Sequence, residues 1–241
     1  MKKVLKVGMA GLMAVSMFGC SSSKDQLVMV TEAGFAPYEY YENDEIVGVD
    51  IEIAKEIANY MGKKLVVKDV YFDSIINELN SGKADMALAG MSITEERLEE
   101  VDFSYEYIKS RQVVIVRDGS NINDIKDIYN KKVAVQLGSV ADQYFSDKYP
   151  NTSLVRQKKY LSMVEDLKAN KVDLIVMDEL PAKEIVRANN GLKIIDGYVF
   201  EDSYGIAVKK GNSELLKAIN VVLERLISEG KIDEYVLRFT R

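Results

Sequence analysis

The chain has 241 residues, with 32 lysines and arginines against 38 acidic residues, a formal charge of −6, a single cysteine and no histidine. The missing histidine excludes Ser-His-Asp and Cys-His catalysis and removes the commonest transition-metal ligand, so any enzymatic chemistry would have to run on carboxylates, lysine or tyrosine. The acidic balance speaks against nucleic acid, whose phosphates need a basic surface, and the length suits one large domain or two lobes of roughly 100 residues each.

Met1-Lys2-Lys3, with Lys6 close behind, precedes an uncharged apolar run over residues 7–19. A basic opening followed by a short apolar stretch is a secretory signal. The stretch falls short of the about 20 residues a membrane-spanning helix needs, and no second run approaches that length. Cys20 follows Gly19 directly, in the manner of a lipobox, although Met17 and Phe18 stand where that motif usually has leucine and a small residue. The expectation is export, removal of residues 1–19 and acylation (palmitate) of Cys20, with residues 20–25 as a short polar tether. The alternative is an ordinary signal peptide with an incidental cysteine. Loss of Lys2, Lys3 and Lys6 leaves the remaining chain at −9.

Beyond the tether, strand-like runs alternate with helical periodicity. Residues 27–30 read as a strand. Val49, Ile53, Ile57 and Met61 recur every four residues before Gly62, an amphipathic helix. Residues 65–70 read as a strand, Asp73 as the cap of a helix carrying Ile75, Ile76 and Leu79, and residues 84–89 as a buried strand. The pattern then restarts with strands over 113–116, 133–136, 154–156 and 172–177. Helices follow near 141–149, around Met163, Val164 and Leu167, and over 181–189. A late strand is expected over 204–208, then an amphipathic helix over 213–229 with Leu215, Leu216, Ile219, Leu223, Leu226 and Ile227 on its apolar side, and a last helix over 232–239. Repeated strand–helix–strand units imply α/β architecture with parallel sheets. Two similar halves without a Pro- or Gly-rich linker imply two lobes joined by extended crossings, with a cleft at the carboxyl ends of the strands.

Several residues at those ends can hold a ligand. In residues 89–97, Ala-Gly-Met-Ser-Ile-Thr-Glu-Glu-Arg, Gly90 permits close backbone approach and a helix N-terminus near Ser92 offers N–H donors to an anion. Arg97 can grip a carboxylate with two parallel hydrogen bonds. Equally, Ser92 and Glu95 fit a capping box, with Arg97 a solvated helix residue. Gln136-Leu137-Gly138-Ser139-Val140 is a second turn of this kind, or an ordinary strand–helix connection. Asp178 follows the buried strand over 172–177, where it can take an ammonium group or cap the next helix. Phe35 and Phe72 can wall a pocket or belong to the core. The run Tyr38-Glu39-Tyr40-Tyr41 reads as a hairpin edge.

Residues 31–40, 48–54, 89–97 with 101–104, 132–139 and 204–211 together resemble, in order and spacing, the polar amino acid-binding proteins of ABC importers, solute-binding protein family 3. The resemblance covers essentially residues 26–240. It implies the type 2 periplasmic-binding-protein fold, two Rossmann-like lobes with parallel or mixed sheets joined by two crossing hinge strands. Lobe one would comprise 26–110 plus 203–241 and lobe two 111–202. It also implies that Arg97 holds the α-carboxylate of an L-amino acid, assisted by Gly90, Ser92 and the 138–140 turn, where Val140 has lost the family's hydroxyl and keeps only its N–H. Asp178 would hold the α-ammonium, Phe35 and Phe72 would form the walls, with Gln136 beside them, and Glu32 sits where members binding basic ligands often carry an acid. That leans the ligand toward lysine or arginine, with glutamine and cystine open. The implied partners are an ABC permease with its ATPase and a membrane reached through the lipid. The implied place is the outer face of the cell membrane, or the periplasmic membrane face in a two-membrane cell. A monomer is expected, with no cofactor, no metal and no catalysis. Two other readings remain: a cyclohexadienyl or arogenate dehydratase on the same fold, with Glu179 or Glu201 as proton donor, and a ligand-sensing subunit of a receptor.

Overall fold

The computed structural model describes residues 25–240; the expected signal segment and Cys20 lie outside them. The first sheet runs in the order Lys64–Asp69, Gln26–Thr31, Met86–Ala87, Ala207–Lys209, Val101–Phe103. Its first three strands are parallel, while Ala207–Lys209 is antiparallel to both its neighbours. The second sheet runs Ser153–Gln157, Lys132–Gln136, Leu174–Asp178, Ile108–Arg117, Leu192–Ile194. Here too the first three are parallel and Ile108–Arg117 is antiparallel to Leu174–Asp178. Among the described residues no helix is long and apolar enough to cross a membrane.

Two strands carry the chain between the sheets. Ile108–Arg117 leaves the first sheet after Phe103, and Phe200–Tyr204 returns to it, the two pairing antiparallel from Ile108 opposite Tyr204 to Gln112 opposite Phe200. The single late strand expected over 204–208 is therefore two strands, Phe200–Tyr204 on the second sheet and Ala207–Lys209 in the first. An extended chain that changes sheets keeps the same alternation of apolar and polar residues, so periodicity does not mark the break. Gly205 lies at the switch, where a Cβ would come within 2.8 Å of the Ile93 side chain.

The amphipathic helices follow their sequence pattern, with local corrections. Val49–Tyr60 buries Val49, Ile53, Ala54, Ile57 and Ala58. It packs against Ser213–Ser228, which buries Leu215, Ile219, Val222, Leu223 and Leu226. Ile227, expected on that apolar side, is 48 % exposed and Val222 takes its place. Asp73 does not cap the next helix by side chain; it lies in a 3-10 turn, Phe72–Ser74, ahead of Ile75–Asn80. The strand expected over 84–89 is reduced to Met86–Ala87 because the chain turns at Gly90, whose φ is +52°. The hairpin edge is present: Gly34–Phe35, Glu39–Glu42 and Glu45–Val47 form a small antiparallel sheet.

Candidate functional site

The carboxyl ends of four parallel strands converge. Glu32 follows Gln26–Thr31, Gly90 and Ser92 follow Met86–Ala87, Gln136 ends Lys132–Gln136, and Asp178 ends Leu174–Asp178. One cavity is lined by Glu32, Phe35, Phe72, Gly90, Ser92, Gln136, Ser139, Val140 and Asp178, which are nine of the ten ligand-binding candidates taken from the sequence. The tenth, Arg97, lines the adjoining groove, which shares Phe72 and Ser139 with the cavity. Glu39, Ala89 and Tyr160, none of them a candidate from sequence, also line the cavity.

Arg97 is not a solvated helix residue. It is 5 % exposed, and its Nη1 donates to the Ser92 carbonyl at 2.7 Å and its Nη2 to the Gly138 carbonyl, across from the second sheet, at 3.0 Å. Its guanidinium lies 5.4 Å from the Phe72 ring centroid. A guanidinium has five N–H donors, so three remain for an anion. Burial lowers its pKa to about 10, which leaves it charged at neutral pH. The capping role falls to Thr94, whose hydroxyl accepts from Arg97 N at 3.2 Å, not to Ser92. Ser92 Oγ instead donates to Asp202 Oδ2 at 2.5 Å.

Asp178 occupies a helix N-cap position yet makes no side-chain cap. Its Oδ1 accepts from Tyr204 Oη at 2.5 Å and from Ser110 Oγ at 2.8 Å. Both donors sit on the two crossing strands, so the carboxylate is oriented by the segment that joins the sheets. Burial raises its pKa, and the Tyr204 and Ser110 hydroxyls act against that rise.

The remaining candidates fall into distinct local roles. Phe35 stacks on Tyr160 at 5.2 Å between centroids and on Tyr38 at 5.7 Å, linking the first sheet's loops to a helix of the second. The Gly90 N–H, offered to the ligand in the sequence reading, donates to Asp50 Oδ2 at 3.0 Å. Ser139 caps Val140–Lys148, accepting from Asp142 N at 3.2 Å. Gln136 Nε2 lies 3.4 Å from Glu32 Oε2. Glu32, 1 % exposed, is ion-paired with Lys159; burial raises its pKa and the Lys159 ammonium opposes that.

The hairpin strand thus also serves the cavity. Glu39 is fully buried and neither carboxylate oxygen receives a hydrogen bond; burial, and after it the neighbouring Asp50, push its pKa well above the usual carboxylate range. Alternation could not have flagged it: Glu39 is the buried end of a strand with pattern buried, partly buried, exposed, exposed, and Tyr41, two residues on, is exposed. By contrast, Glu179 and Glu201, the nominated proton donors of a dehydratase, do not line the cavity. They lie on a groove beyond the crossing strands, where Glu179 pairs with Lys183 at 2.7 Å and Arg111 at 3.6 Å.

This chain is similar to known proteins. The arginine-binding extracellular protein ArtP of Bacillus subtilis is 31 % identical over 97 % of this chain and 96 % of its own length. The glutamine-binding protein GlnH of an ABC transporter in the same organism is 36 % identical over 79 % of this chain and 71 % of its own. The crystal structure of the amino acid ABC transporter substrate-binding protein AbpA from Streptococcus pneumoniae, bound to L-arginine, superposes with a TM-score of 0.86. It is 34 % identical, over 90 % of this chain and 95 % of that one. The family model for bacterial extracellular solute-binding proteins, family 3, matches residues 27–241, and with two sheets, two crossing strands and a buried polar cavity at the strand ends, the chain belongs to that family.

Proposed function

We propose that this protein captures an L-amino acid with a basic side chain, arginine foremost, and hands it unchanged to an ABC permease driven by its ATPase. The observation that carries this reading is the charge pattern of one site. Arg97 keeps three N–H donors free beside the cavity, Asp178 presents a hydroxyl-oriented carboxylate within it, and Glu32 adds a second buried acid. A zwitterion bridges the first two, and a cationic side chain suits the third. ArtP and AbpA, similar over almost the whole chain, carry arginine in their descriptions.

Residues 26–110 with 203–241 would move as one lobe and 111–202 as the other, hinged on the paired crossing strands. Arg97 and Glu32 belong to the first lobe and Asp178 to the second, so full coordination favours the closed arrangement. Export, acylation at Cys20 and a monomeric form on the outer face of the cell membrane, or the periplasmic membrane face in a two-membrane cell, complete the proposal. The test is thermal unfolding of protein stripped of ligand by denaturation and refolding, against each L-amino acid. A ligand at 100 times its Kd adds ~2.7 kcal/mol of stability. The reading fails if no L-amino acid raises Tm.

A further inference from the structure

Lys159 does not line the cavity, but it is ion-paired with Glu32, the lining acid assigned to the side-chain end. It lies between the strand Ser153–Gln157 and the helix Tyr160–Lys168 of the second sheet and reaches across to Glu32 of the first. The Lys159 side chain is 37 % exposed, whereas Glu32 is buried. Its ammonium is also 3.9 Å from Asp69 Oδ1 and 5.6 Å from the Tyr71 ring centroid. Asp69 is itself held in place: Oδ1 accepts from Ala33 N at 2.9 Å and Oδ2 from Tyr41 Oη at 3.4 Å. Neighbouring Lys158 is occupied elsewhere, 3.7 Å from Asp73 and over the Tyr71 ring at 4.5 Å.

We propose that Lys159 sets the charge preference of the side-chain subsite: its ammonium competes with a basic ligand's cation for Glu32 and withdraws to Asp69 when such a ligand enters. This rests on the amino acid-binding reading above. Charge balance at the cavity sets the contest. The ligand's carboxylate and ammonium match Arg97 and Asp178, one to one. Glu32 is a single buried negative charge, and two cations on it would repel each other in a weakly screened setting. A cationic side chain therefore has to displace Lys159, and Asp69 stands close enough to receive the lysine without a stranded charge. A neutral amide side chain leaves the Glu32–Lys159 pair intact and hydrogen-bonds to its edge. Specificity between the two ligand classes is then a contest at one carboxylate.

The probes are L-arginine and L-citrulline, which have nearly the same shape and differ in side-chain charge, titrated calorimetrically into the full chain. Lys159→Met removes the competitor, and the ratio of arginine to citrulline affinity is expected to rise about tenfold or more. Lys159→Gln repeats the test should the methionine variant fold poorly. Asp69→Asn removes the receiving site, so it should lower arginine affinity in the wild-type background and leave it unchanged with Lys159→Met. A ratio that stays level or falls in both Lys159 variants overturns the inference while leaving arginine capture standing. Arginine binding that appears only when Lys159 is replaced supports the inference and overturns arginine as the wild-type ligand. Failure of wild type and variants alike to bind either probe overturns both.

Discussion

Arg97→Ala is the most informative single change, because the side chain joins three things: the turn after Met86–Ala87, the Gly138 turn of the second sheet, and the anion expected between them. Truncation strands two carbonyls, those of Ser92 and Gly138, which now accept at 2.7 and 3.0 Å. It also removes a guanidinium 5.4 Å from the Phe72 ring. On the ligand side it removes two charge-assisted hydrogen bonds, each worth roughly 1.5–3 kcal/mol, so a loss of about 3–6 kcal/mol is expected. That corresponds to a Kd raised by about two to four orders of magnitude. Arg97→Lys keeps the charge and loses the planar fork, and should fall between wild type and Arg97→Ala. The assay is calorimetric titration with L-arginine, with circular dichroism to establish that each variant is folded. A folded Arg97→Ala protein that binds within threefold of wild type would refute both the assignment and the reasoning from its three spare donors.

Asp178→Asn keeps an acceptor for Tyr204 and Ser110 but discards the charge, so binding should weaken by about 1.5–3 kcal/mol. Tm should hold or rise, because a buried charge has been removed; titration and thermal unfolding on the same sample separate the two effects. Gly90→Ala places a Cβ 2.5 Å from Phe35 Cε1 in backbone at φ +52°. Overpacking at about 1–3 kcal/mol should lower Tm and displace Phe35 from its stack on Tyr160, and an unchanged Tm would contradict the geometry. Burial and the nearby Asp178 raise Asp202 to about 7. A carboxyl raised on folding binds more protons folded than unfolded between its two pKa values, so stability falls as pH climbs through that window. Asp202→Asn should therefore flatten the decline of Tm between about pH 4 and pH 7; parallel pH profiles for variant and wild type would count against it.

The longer strands and helices and nine of the residues around the cavity were legible in the chain, because each rests on local rules, whereas the three-residue strands Val101–Phe103 and Leu192–Ile194 carry too short a pattern to be read. Apolar spacing marks the helix Val49–Tyr60, and strand ends followed by Gly, Ser or a lone carboxylate mark Gly90, Ser139 and Asp178. Strand-to-helix connections place such residues at the same end of every parallel strand, so their convergence follows from topology alone. What only the tertiary structure decided are the pairings between residues far apart in sequence. The Gly90 amide went to Asp50, 40 residues away, and Asp178 took hydroxyls from Ser110 and Tyr204 on the crossing strands. Glu32, read as an acid awaiting a cation, is joined to Lys159, 127 residues later. A buried charge must find a partner wherever the fold brings one near, and no local periodicity records which partner that is. The family resemblance pointed to Glu32, and only the packing of the second sheet's helix against it decided that a lysine stands beside it.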